Sequence, residues 1–265
     1  MVAVVAGNGL GLFNTSVNVL GNAGVLGQGV LGQSRASAYV NAVTGNLILQ
    51  SLDEEISGRG SDLPQLLTYN SKGTLNGGAG QGWSFGGQKT LALTATVNSA
   101  GSFVDRTESD GHVTRFTWDI ASRTYLDNTN TQLADGTPSL AHEGGGPDDT
   151  LTWDGSQWLF VDGATQRREI YLGTGSGANV ARLHSQTDTS GNVISYDYDA
   201  NGRLSEIIDN TKVDGTGTGS GQKLVLTYGT GPGGTPRVPV PSFLLSQDGS
   251  ARATPSLRDP RPQVT

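Results

Sequence analysis

Asp197-Tyr198-Asp199-Ala200-Asn201-Gly202 carries the carboxylate spacing that opens a calcium loop. Such a loop is closed by a bidentate acid at its twelfth position, and counting from Asp197 that position is Ile208. The clamping ligand is missing, and Val193 to Tyr196 ahead of the motif reads as strand, not helix. Gly27-Gln28-Gly29-Val30-Leu31-Gly32 fits the glycine pattern of a dinucleotide cradle, which needs a strand before it and a helix after it. Gln33 to Ala38 runs instead into Thr44-Gly45, and a chain with 40 glycines produces such matches by chance. His112, His142 and His184 are scattered, with no pair at metal-binding spacing, and His112 reads as a solvated turn residue. Asp53-Glu54-Glu55 and Asp148-Asp149 offer the paired carboxylates that glycoside hydrolysis uses, but nothing makes them converge, so they read as solvated charge. No G-x-S-x-G nucleophile elbow occurs. The sequence therefore assigns no catalytic, cofactor or metal residue.

What remains of the motif is its backbone. Asn201-Gly202 reads as a two-residue type I′ turn, and its flanks alternate apolar and polar residues at period two. An earlier copy, Asp110 to Asp119, matches Ser190 to Asp199 in register. Gly111 falls on Gly191, Phe116 on Tyr196, Trp118 on Tyr198 and Asp119 on Asp199. With Gly202, Arg203 and Leu204 these form the structural repeat motif. Tyr196 and Tyr198 share one side of their strand, and Arg203 is placed to bridge to a carboxylate across the turn. In the return strand Leu204 and Ile207 fall on opposite sides, which expresses partial cover of both faces. A repeated hairpin stacks on its neighbours before it does anything else.

The composition agrees. Of 265 residues only 34% are hydrophobic and 15% charged, and Gly, Asn, Asp, Ser and Thr separate short apolar runs, as in a many-stranded protein. No cysteine is present, which removes disulfides and thiolate metal sites. A net charge of −7 disfavours a nucleic-acid partner. No run is long and apolar enough for a membrane span, and the short apolar N-terminus lacks the basic start of a cleavable leader.

Three zones follow: a Gly-rich N-terminal arm over residues 1–38, a strand-rich region over 39–229, and a Pro-rich tail over 230–265 holding seven of the ten prolines. The tail reads as irregular, with a remnant hairpin at Phe243-Leu244-Leu245, or as the truncated end of a longer chain. The fold class is all-β: antiparallel hairpin repeats forming part of an open curved sheet or shell.

Tyr198-Asp199-Ala200-Asn201-Gly202-Arg203-Leu204 resembles the signature of the Rhs, or YD-repeat, family. Gly45 to Gln50, Gly58 to Leu63, Thr68 to Ser71, Gly82 to Phe85 and Asp110 to Phe116 resemble the segment that leads into the repeats of bacterial Rhs proteins. The resemblance implies a non-catalytic scaffold, an N-terminal piece of a hollow β-shell that encloses or presents a toxin domain. Its implied partners are downstream YD repeats and a C-terminal toxin, and its implied place is secreted or at the cell surface by a route without a signal peptide, after a cytoplasmic stage. Asp259-Pro260-Arg261-Pro262 departs from the family's self-cleavage motif, so self-cleavage is not carried over. Two other readings stand beside it. One is a cell-surface module that binds carbohydrate through aromatics such as Trp158, by analogy with teneurin-type YD proteins. The other, weaker, is an enzyme built on the acidic pairs.

Overall fold

The computed structural model describes residues 3–5, 11–12, 29–31, 36–56, 63–73, 82–127, 148–173, 179–210, 223–228, 240–247 and 250–253. All regular structure among them is strand. The first sheet contains β1 (Ala3–Val5), β2 (Gly29–Leu31), β3 (Ala36–Asn41), β4 (Asn46–Ile56), β5 (Leu63–Asn70) and β6 (Trp83–Phe85), in the order β1-β3-β4-β5-β6. Two short strands share one edge of β3. β2 lies antiparallel to Ala36–Ala38, and β1 lies parallel to Tyr39–Asn41. The glycine pattern at 27–32 thus encloses a strand, with β3 following it.

The second sheet begins as an up-and-down meander. Its strands are β7 (Thr90–Thr94), β8 (Phe103–Thr107), β9 (Val113–Asp119), β10 (Thr124–Asp127), β11 (Thr150–Trp153), β12 (Gln157–Val161), β13 (Arg168–Gly173) and β14 (Val180–Thr187). Each pairs antiparallel with the next, and β14 returns to pair with β7 through Val180–Arg182. Eight strands therefore close into a barrel, a number whose interior is just filled by side chains. The same edge of β14 is used twice. Its second half, Ser185–Thr187, pairs with β15 (Val193–Tyr198) instead of β7. From this fork the sheet leaves the barrel and continues as β16 (Leu204–Asp209), β17 (Lys223–Thr227), β18 (Val240–Gln247) and β19 (Ser250–Ala253). The all-β, antiparallel expectation holds, and the curved sheet it envisaged closes on itself over eight strands.

Alternation along the strands decides what fills the barrel. Leu91, Val104, Phe116, Leu151 and Leu183 are fully buried at its waist. Tyr125 and Trp158 stack edge to face at 5.3 Å, and Trp118 and Trp153 extend this aromatic row towards one end. The opposite end is where Lys89, Glu108, His112, Asp149 and Arg167 enter or leave the strands, and it is polar.

The turns correct the type I′ expectation. At Asp199–Arg203 only Gly202 has positive φ, at 74°. Gly202 N–H donates to the Asp199 carbonyl at 2.8 Å, and Asp199 N–H donates to the Arg203 carbonyl at 2.8 Å. This is a three-residue loop, a type I turn closed by a left-handed glycine, which uses the Asn-Gly pair differently from a two-residue hairpin. Glu108–His112 and Asp188–Asn192 repeat the pattern, with φ of 89° at Gly111 and 82° at Gly191. The uneven return strand also has a local cause. Asp197 faces Glu206 while Tyr198 faces Leu204, so Ser205 is the extra residue of a β-bulge. The bulge shifts the phase, and Leu204 and Ile207 both point into the core.

Candidate functional site

The polar end of the barrel holds a cluster of four paired charges, Lys89, Arg106, Glu108 and Glu169. Arg106 on β8 shares a face with the buried Val104, and Glu169 on β13 shares one with the buried Tyr171, so alternation turns both charged side chains inward. Glu169 is 2% exposed and accepts four hydrogen bonds. They come from Lys89 Nζ at 2.6 Å, Arg106 Nη2 at 2.6 Å, Tyr171 Oη at 2.5 Å and Gln186 Nε2 at 2.7 Å. Arg106 also donates from Nε to Tyr171 Oη at 3.0 Å, pairs with Glu108, and lies 3.9 Å from the centre of the Phe160 ring. Lys89 reaches Glu108 Oε2 at 3.1 Å. Tyr196, from the strand beyond the fork, donates to Gln186 Oε1 at 2.6 Å and so ties the repeat strand into the network.

Two cations face two carboxylates, and the balance sets the protonation of the carboxylates. Burial alone would raise the pKa of Glu169, but Arg106 and Lys89 outweigh it and hold the carboxyl well below the usual carboxylate range. Glu108 is likewise held low, with burial opposed first by Arg106 and then by Lys89. Burial pushes the Tyr171 phenol far up, and Arg106 stays charged between its two carboxylates. Near neutral pH Glu108 and Glu169 are held ionised, and Tyr171 is held neutral. A cavity of about 90 Å³ adjoins it, lined also by His112, Thr114, Asp149, Asp162 and Arg167. The arrangement suits a lock between strands. Losing one partner of such a buried pair costs about 3–5 kcal/mol.

The repeat motif forms a second constellation, a clasp used twice. Arg182 lies 5.6 Å from the Tyr198 ring centre, and Tyr198 Oη donates to the carbonyl of the next residue, Leu183, at 2.8 Å. Arg203 lies 4.3 Å from the Tyr228 ring centre, and Tyr228 Oη donates to the Leu204 carbonyl at 2.6 Å. An Arg-Leu step on one strand thus holds the tyrosine of the neighbouring strand by its face and its hydroxyl. Asp199 keeps Arg203 in place, accepting from Nε at 2.8 Å and Nη2 at 2.6 Å.

The residues singled out in the sequence occupy these places. Gly111, Gly191 and Gly202 are the left-handed turn residues. Phe116 and Leu204 are fully buried, Tyr196 is nearly so, and Trp118 packs on Tyr125. Asp119 caps its turn by accepting the Ser122 N–H at 2.8 Å. Three expectations change. His112 is 1% exposed, not solvated, because its turn lies against the first sheet. Asp149 is buried and accepts the Gly163 N–H at 2.7 Å, while its neighbour Asp148 is exposed. Trp158 is fully buried and meets rings, so it is no surface contact for a sugar. The side chains of Asp53, Glu54 and Glu55, and His142 and Glu143 altogether, lie outside the described residues. Sequence reasoning missed the ion cluster, although Arg106 and Glu169 each stand two residues from an inward apolar side chain, where alternation calls for another.

A family model described as RHS Repeat matches residues 182–216, starting at the first arginine of the clasp. A second, for a domain of unknown function (DUF6531), matches 37–116, from β3 into β9. No curated protein matches the chain. Among solved structures, TcdB2-TccC3 is 14% identical over 77% of this chain and 12% of its own, with a TM-score of 0.48. A mutant of the Photorhabdus luminescens Tc holotoxin pore is 14% identical over 70% and 11%, with a TM-score of 0.43. The N-terminal domain of the Salmonella typhimurium effector SpvB is 16% identical over 76% of each chain, with a TM-score of 0.40. The chain therefore spans about a ninth of the length of the two Tc chains.

Proposed function

We propose that this chain, a member of the Rhs/YD-repeat family by the repeat it carries, builds part of a β-shell that encloses or presents a toxin domain. The observation that carries the reading is how the motif is spent. Tyr196, Tyr198 and Leu204 point into strand-to-strand contacts, Asp199 holds Arg203 across the turn, Arg203 lies over the Tyr228 ring, and none of the five lines the cavity beside the ion cluster. The ion cluster supports it, since buried charges paired across β7, β8 and β13 are suited to fastening strands. On this reading the chain works outside the producing cell and joins further YD repeats through the edge of its long sheet.

The test mixes the chain with a polypeptide of consecutive YD repeats and follows complex formation by size-exclusion chromatography with light scattering. A glycan array is run in parallel. Association with the repeats and a silent array are expected. A monodisperse chain that ignores the repeats and binds a defined glycan would replace the scaffold with the adhesion reading.

A further inference from the structure

Gly11 and Leu12 lie against a turn 98 positions further along the chain. Leu12 N–H donates to Asp110 Oδ2 at 2.7 Å, while Asp110 Oδ1 accepts the His112 N–H at 2.9 Å. Asn70 braces the turn from the first sheet by donating from Nδ2 to the Asp110 carbonyl at 2.7 Å. Gly11 is buried, and it fits only because it has no side chain. A Cβ there would overlap the Cβ of His112 and lie 2.6 Å from both His112 N and Asp110 Oδ1. Neither residue can step aside: His112 is 1% exposed and its N–H is already bonded to Asp110. The constraint on residue 11 is therefore steric, and the constraint on residue 12 is a backbone N–H facing a carboxylate.

We propose that Asp110-Gly111-His112, backed by Asn70, is a glycine-selective peptide seat, filled by the chain's own Gly11-Leu12. The equivalent turn at Asp188–Asn192 shows that the seat is not a by-product of turn geometry. Ser190 stands where Asp110 does, and the capping falls to Asp188, the counterpart of Glu108. There Asp188 Oδ1 accepts from Ser190 N and Asn192 N, and Oδ2 accepts from Asn192 Nδ2, so both oxygens serve the turn itself. In the first turn Asp110 holds His112 with one oxygen and offers the other outward. The seat fastens the N-terminal segment beside the polar end of the barrel, because His112 lines the cavity there. The inference stands apart from the scaffold reading.

Residue-resolved amide exchange of the full chain tests it. Gly11→Ala and Asp110→Asn should each speed exchange at Leu12 about tenfold, the loss expected for one hydrogen bond to a charged acceptor. Val104 and Phe116, in β8 and β9, should exchange as before. Where Asp110→Asn also loosens those two strands, Gly11→Ala decides, since residue 11 lies outside the barrel strands. A millimolar acetyl-Leu-Gly-Leu-amide probe added to the Gly11→Ala chain should return the His112 resonances towards their parental positions, and the Leu-Ala-Leu analogue should not. Unchanged Leu12 exchange in Gly11→Ala, or equal binding of the two peptides, would overturn the seat.

Discussion

Glu108–Asp119 and Asp188–Asp199 are one strand-turn element used twice, and their surroundings differ. Both have an acid at the first turn position, a left-handed glycine at the fourth and an inward aromatic three residues before the final Asp. In the second copy the acid, Asp188, caps its own turn, and a Cβ on Gly191 would meet nothing within 4 Å. In the first, Glu108 is drawn away to Arg106 and Lys89, Asp110 takes over the capping, and Asn70 fills the space beside Gly111. The same backbone is thus a docked joint in the barrel wall and a free turn at the fork. Motif residues fix the loop shape, and neighbours outside the motif fix what the loop does.

The largest effect that separates the two copies should come from their acids. Glu108→Ala leaves Arg106 and Lys89 with Glu169 alone, and since Glu108 is 21% exposed the loss should fall at the low end for a buried pair, about 3 kcal/mol. Asp188→Ala removes turn hydrogen bonds in water and should cost about 1 kcal/mol. Denaturant melts of the two variants give the comparison directly. The pH dependence sharpens it. Glu108 and Glu169 titrate lower in the folded chain than the ordinary value of 4.5. As pH falls below that value the unfolded chain binds protons first, so stability is present above it and declines towards the lower folded pKa. The acid limb of the melting curve should be flatter in Glu169→Gln than in the parent, and an unchanged limb would break the assignment of the lock.

A smaller difference separates the glycines. Gly111→Ala and Gly191→Ala both force a side chain into the left-handed region, at about 1–2 kcal/mol. At Gly191 that is the whole effect. At Gly111 the new Cβ lies 2.6 Å from Asn70 Nδ2 and displaces its bond to Asp110, which adds about 1 kcal/mol. Equal losses in calorimetry would mean that the first turn is not docked.

The sequence made the hairpins legible because alternation and turn glycines are local signals. Strand positions around Phe116, Trp158 and Tyr196 could be read from period two alone. Barrel closure could not, because pairing of β7 with β14 joins residues 90 positions apart with no shared motif. The loop type at Asn201-Gly202 was misread because Asp199, one position before the loop, captures the Asn201 and Arg203 N–H groups and selects the longer turn. The uneven phase of Leu204 and Ile207 marked a bulge, and a bulge shows only once the partner strand is known. The ion cluster escaped because a charged residue at an inward position looks in sequence like the end of a strand.

The smallest expected effect concerns the clasp, which the first copy lacks because Trp118 has no hydroxyl to offer a carbonyl. Tyr198→Phe keeps the ring under Arg182 and removes only the bond to the Leu183 carbonyl, so it should cost about 1 kcal/mol. Tyr228→Phe should do the same at Leu204. Alkaline pH distinguishes this loss from a packing defect. Burial pushes the Tyr228 phenol up to about 12 from an ordinary 10.0. The unfolded chain therefore releases its proton first, and the stability this phenol contributes is complete below pH 10 and declines as pH rises towards 12. Tyr228→Phe should flatten that alkaline decline, whereas Trp118→Phe, which has no phenol to lose, should leave it as steep as in the parent. If both variants behave alike there, the hydroxyl-to-carbonyl bond is not what separates the second copy from the first, and the ring stacking of Arg203 on Tyr228 carries the clasp instead.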